Sequence, residues 1–120
     1  CHSMNAVSGK MGEGGAGIAR ADVVLGDRDG TTCDAEFTYL VKDFMQQCGY
    51  DVKVNDPFKG VELVRAFSNP AQGKHSLQIE LNKRLYTDAS GRGKGPGYKK
   101  LNQDLIALTA LLADFSKSNI

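Results

Sequence analysis

The chain carries almost no net charge: 15 lysines and arginines stand against 14 aspartates and glutamates, a formal balance of +1. So even a balance offers no electrostatic grip on nucleic acid or on an anionic membrane surface. Long hydrophobic runs are missing as well, and no stretch approaches the roughly 20 apolar residues of a membrane span. Cysteine is scarce. Cys1, Cys33 and Cys48 are odd in number and have no CxxC spacing, which argues against a disulfide framework and for a reducing, cytoplasmic setting. There is no internal repeat. The Gly-, Lys- and Arg-rich stretch at 90–100 lacks the GKS or GKT step of a P-loop. A GxGxxG match at 12–17 has no strand feeding it, so both read as loops.

What is present suffices for a core, since 41% of the 120 residues are hydrophobic. That length gives one small domain or part of a larger one. The chain opens Cys1-His2-Ser3-Met4 without an initiator methionine. We therefore expect residues 1–120 to be the carboxyl-terminal portion of a single domain whose amino-terminal half is missing.

Residues 5–20 lack periodicity and read as a long loop. The β-branched run 21–25 predicts a buried strand, followed by a polar turn at 27–30. Phe37, Leu40, Val41, Phe44, Met45 and Cys48 recur at helical spacing with Gly49 as the stop, and Thr31 or Asp34 is the expected cap. A strand is expected over 50–55, broken by Asp56-Pro57; over 61–67 the spacing of Val61, Val64 and Phe67 favours a short helix, although the β-branched content permits a strand. Leu77, Ile79 and Leu81 alternate with Gln78 and Glu80, which predicts a strand with a polar side. A final helix carries Leu101, Leu105, Leu108, Leu112 and Phe115 in one stripe. Strands alternating with helices predict an α/β domain with a mixed or parallel sheet flanked by helices.

Four residues are candidates for chemistry. Glu80 sets a carboxylate in a core strand, which is costly unless it is paired, metal-linked or functional; the alternative is an amphipathic edge strand with Glu80 in water. His2 would stand at the carboxyl end of a strand formed upstream, where a neutral imidazole is a natural zinc ligand, or be a terminal histidine without a role. Arg28 could clamp a carboxylate with its planar fork, or belong to a solvated turn in which Asp27 or Asp29 bonds backbone amides. Arg65 points into a cleft or lies exposed at a helix end. His75 is a supporting group or a turn residue, and Cys33 and Cys48 read as small hydrophobes in the first helix.

Several blocks converge on one family. Cys1-His2-Ser3-Met4, then 24–34 (VLGDRDGTTCD), 55–60 (NDPFKG), Arg65, 75–82 (HSLQIELN) and Arg84-Leu85-Tyr86 stand in its order and spacing. Over most of the chain up to Asp88 the sequence resembles the N-formylglutamate amidohydrolases, zinc enzymes of histidine breakdown. The resemblance implies a zinc-carboxypeptidase-like, phosphorylase/hydrolase-like fold. It also implies one zinc ion, with His2 as a late ligand to a site begun upstream. Glu80 would be the general base on zinc-bound water, and Arg65 and Arg28 would hold substrate carboxylates or polarise the formyl carbonyl. Asn5 follows Met4 where the family more often has proline, and Phe58 stands where tyrosine is common. The expected substrate is a small molecule, N-formyl-L-glutamate, cleaved to formate and L-glutamate by the intact protein, with this portion inactive alone. The alternatives are a deacylase for another N-acyl acidic amino acid, or a non-catalytic α/β module that binds a small carboxylate or a protein.

Overall fold

The structure is a computed structural model that describes residues 1–7 and 17–118. Most of the GxGxxG match and the middle of the anticipated first loop lie outside the described residues. Seven elements follow one another: β1 (His2–Met4), β2 (Val23–Gly26), α1 (Ala35–Gln47), β3 (Val52–Val54), α2 (Glu62–Ala66), β4 (Gln78–Asn82) and α3 (Tyr98–Ser118). Single 3-10 turns at Pro70–Gln72 and Lys83–Leu85 flank β4. No helix among the described residues is long and apolar enough to cross a membrane.

The strands form one mixed sheet in the order β1-β4-β2-β3. β4 runs parallel to β1 and antiparallel to β2, and β2 runs parallel to β3. The edge-strand reading of residues 77–82 is therefore wrong. β4 is interior, bonded on both sides, and all five of its residues are buried. A three-residue β1 is too short to announce itself by periodicity, and it is β1 that turns β4 into an inner strand. His2 lies within β1 itself.

Because side chains alternate across a strand, the register sorts the sheet into two unlike faces. Val23, Leu25, Val52, Ile79 and Leu81 share one face and pack with Val41 and Met45 of α1 and Leu101 and Leu108 of α3. Each such side chain, fully buried, contributes about 1.5–3 kcal/mol. Both long helices cover this face and meet edge-on through Phe37 and Phe115, 5.4 Å apart. The other face carries His2, Met4, Val24, Gln78, Glu80 and Asn82. Among the described residues, Met4, Ala21 and Val24, backed by Phe58, make a small apolar cluster there.

Two local expectations also change. Asp34 occupies the N-cap of α1 but its side chain makes no capping bond. Its backbone N–H donates to His75 Nδ1 at 3.1 Å, and its carboxylate lies 3.7 Å from His75 Nε2. His75 stacks on Phe37 at 5.3 Å, so it seals the start of α1. Cys33 lies ahead of α1, not within it, yet it is buried as a small hydrophobe against Thr38.

Candidate active site

The polar face centres on β4. Glu80 pairs in register with His2 of β1 on one side and Val24 of β2 on the other. Its Oε1 lies 3.3 Å from His2 Nδ1 and accepts a hydrogen bond from Gln78 Nε2, also at 3.3 Å. Its Oε2 is buried and, among the described residues, has no hydrogen-bond partner. Glu80 is 7% exposed, whereas the His2 side chain remains 47% exposed. With Nδ1 turned to the carboxylate, Nε2 is the His2 nitrogen left for another partner. The two residues that resemblance singled out for metal and base are thus brought together.

Neighbouring side chains tie this strand to its surroundings. Asn82 is wholly buried, donates to the Ala21 carbonyl at 3.1 Å and accepts from the Arg84 N–H at 3.0 Å. At the other end, the Val61 N–H donates to Gln78 Oε1 at 3.1 Å. That contact requires the 59–61 segment to cross the sheet closely. The crossing occurs at Gly26, the register partner of Gln78, where an added Cβ would lie 2.7 Å from the Gly60 nitrogen and the Lys59 carbonyl carbon.

The turn after β2 is solvated in part: Asp27 bonds a backbone amide as the turn reading allows, but it is also buried and bonded to two side chains. Asp27 is buried and accepts from Asn55 Nδ2 at 2.7 Å, the Gly30 N–H at 2.7 Å and Thr38 Oγ1 at 2.8 Å, while its own N–H donates to Asn55 Oδ1. Burial pushes the Asp27 carboxyl up, but the bonds from Asn55, Thr38 and Gly30 outweigh it and hold the group below its ordinary value. This knot joins the carboxyl ends of β2 and β3 to α1. Asp29, by contrast, is exposed and pairs with Lys59 at 2.9 Å.

The arginines stand apart from the His2–Glu80 pair. Arg28 adopts a positive φ of 50° and donates from Nη1 to the Gly60 carbonyl at 3.1 Å. Arg65 is exposed on α2 and bonds Glu62 one turn back. Hydrogen bonding from Arg65, with the charge of Arg28 adding to it, holds the Glu62 carboxyl below its usual range. Arg65 alone bonds Glu62 among the described residues, Arg28 acting on it through charge, and no ion pair or hydrogen bond joins either arginine to Glu80 there. Reading the sequence missed Gln78 as a partner of Glu80. Its signal was the spacing of two along a strand, which puts both on one face.

The donor chemistry fits a zinc ion in part. His2 offers an imidazole nitrogen beside a carboxylate, but among the described residues no three His, Cys, Asp or Glu side chains gather to hold a metal.

The chain is similar to known proteins in sequence and fold. The profile of the N-formylglutamate amidohydrolase family matches residues 1–87. No curated protein matches the chain. Among solved structures, the N-formylglutamate amidohydrolase of Ralstonia eutropha JMP134 superposes with a TM-score of 0.80 at 40% identity, over 85% of this chain and 36% of that one. The chain thus spans about a third of the length of that relative. The profile match over residues 1–87 and the solved relative at 40% identity over 85% of the chain place this chain in the N-formylglutamate amidohydrolase family.

Proposed function

We propose that this chain supplies the general-base portion of a zinc-dependent site that hydrolyses N-formyl-L-glutamate to formate and L-glutamate, a step of histidine breakdown. The observation that carries the reading is the buried Glu80 carboxylate, anchored at Oε1 and unpartnered at Oε2, beside His2. His2 would hold the metal through Nε2, with the remaining ligands supplied from outside these 120 residues. When bound, zinc lowers the pKa of water to about 7 and so furnishes a nucleophile at neutral pH.

The chain's own groups then move the protons. Glu80 Oε2 takes a proton from the attacking water as its oxygen bonds the formyl carbon. It returns that proton to the glutamate nitrogen as the C–N bond breaks. No free base is consumed, and formate and the amine leave in balance. Arg65 and Arg28 would bind the substrate's carboxylates in bidentate fashion. Arg65 is held only by an exposed ion pair with Glu62, a weak class of contact, so an incoming carboxylate can displace Glu62.

The test is zinc content and formate release for the chain alone and for a form extended at its amino terminus by the residues encoded upstream. The expected result is near-stoichiometric zinc and turnover only in the extended form, both lacking in the chain alone, with turnover abolished by Glu80→Gln. An extended form that holds zinc yet leaves N-formylglutamate intact would overturn the substrate. Full turnover in Glu80→Gln would overturn the base.

A further inference from the structure

Gln78 is 5% exposed and makes two side-chain bonds, one at each end of its amide. A backbone N–H can only donate, so the amide atom facing Val61 must be oxygen, and the NH2 group must therefore face Glu80. The orientation of this buried amide is fixed by Val61, not by the carboxylate it serves. Val61 in turn sits at the N-cap of α2, the helix that bears Arg65. Its segment is pressed onto the sheet at Gly26, where only a glycine leaves room. The amide consequently holds Glu80 Oε1 from a rigid support and turns Oε2 away from it.

We propose that Gln78 is the positioning residue of the site: it fixes which oxygen of Glu80 is free for proton transfer and couples that choice to the placement of α2. The proposal rests on Glu80 acting as the general base. Gln78 touches no reacting atom and acts through Glu80. Misplacing a base by a fraction of its reach costs rate without weakening substrate binding.

Two substitutions separate the roles. Gln78→Glu keeps the side-chain length and an oxygen for the Val61 N–H but replaces the fixed amide donor by a carboxyl that must share a proton with Glu80. Gln78→Met removes both bonds at similar volume. In the extended form, kcat should fall roughly 10- to 100-fold in each, with KM within about twofold of wild type. A residue that merely supports the loop would let Gln78→Glu retain wild-type kcat, and that result overturns the proposal. A second readout needs no activity. The side-chain amide protons of Gln78, followed by NMR, should shift upfield in Glu80→Met, because the charge-assisted bond is lost. Unmoved resonances would also overturn the positioning role. If the wild-type protein released no formate, the functional reading would fail on its own, and the amide resonances would still decide whether Gln78 holds Glu80.

Discussion

A buried carboxylate with one oxygen unpartnered costs on the order of 1–3 kcal/mol, and Glu80 is in that position through its Oε2. Glu80→Gln removes the charge at constant shape, so it should stabilise the fold by about 1 kcal/mol while removing turnover. In thermal unfolding that corresponds to a rise of roughly 4 °C; a lowered midpoint would show that the free oxygen is stabilised where it lies. Asp27 behaves in the opposite sense, since every one of its bonds is made. Its folded carboxyl lies below the unfolded value of 3.8, so the unfolded chain binds the extra proton between the two values. Stability from Asp27 is thus full above that unfolded value and lost as pH falls through the folded one. Urea unfolding should show Asp27→Asn less stable than wild type at pH 6, with the gap narrowing by pH 3. A gap independent of pH would contradict the hydrogen-bonded, ionised Asp27.

At the scale of elements, α1 and α3 are joined at one end by a polar clasp. Tyr50, just beyond α1, donates to Asp104 Oδ2 at 2.6 Å, and Lys100 reaches the same oxygen at 2.7 Å and the Cys48 carbonyl at 2.8 Å. Lys100 also lies 4.2 Å from the centre of the Tyr50 ring. An ammonium on the last carbonyls of a helix is favourable in its own right. Burial, then the bond to Asp104, pushes the Tyr50 phenol up to about 12. A raised value means the folded chain keeps the proton longer, so this contribution is full below the unfolded value of 10.0 and lost as pH rises through about 12. Subtracting the alkaline absorbance titration of Tyr50→Phe from that of wild type should leave a step centred near pH 12. A step near 10 would mean the clasp is open in solution.

For the molecule as a whole, periodicity in the sequence predicts α1, α3 and the alternation of β4, because each buries a regular stripe, and β-branched runs predict β2 and β3; α2 buries only Val64, which is why the 61–67 segment reads as either helix or strand. Periodicity also separates the two sheet faces at β4, since Gln78 and Glu80 oppose Ile79 and Leu81. The strand order was not legible, because pairing β4 between β1 and β2 depends on contacts far apart in sequence. The knot around Asp27 was hidden for the same reason: Thr38 and Asn55 reach it from different elements. His2 and Glu80 were legible through family resemblance, and their adjacency through β1 was not. The bond of Gln78 to Glu80 needed the cross-strand loop at Val61 to orient it.

The His2–Glu80 register has a consequence for assembly in time. His2 and Glu80 lie 78 residues apart in the chain. During synthesis the histidine therefore emerges before its carboxylate partner exists, and the pair comes together only once β4 has been made and has docked between β1 and β2. A metal held through His2 would add to what keeps β1 in register with β4.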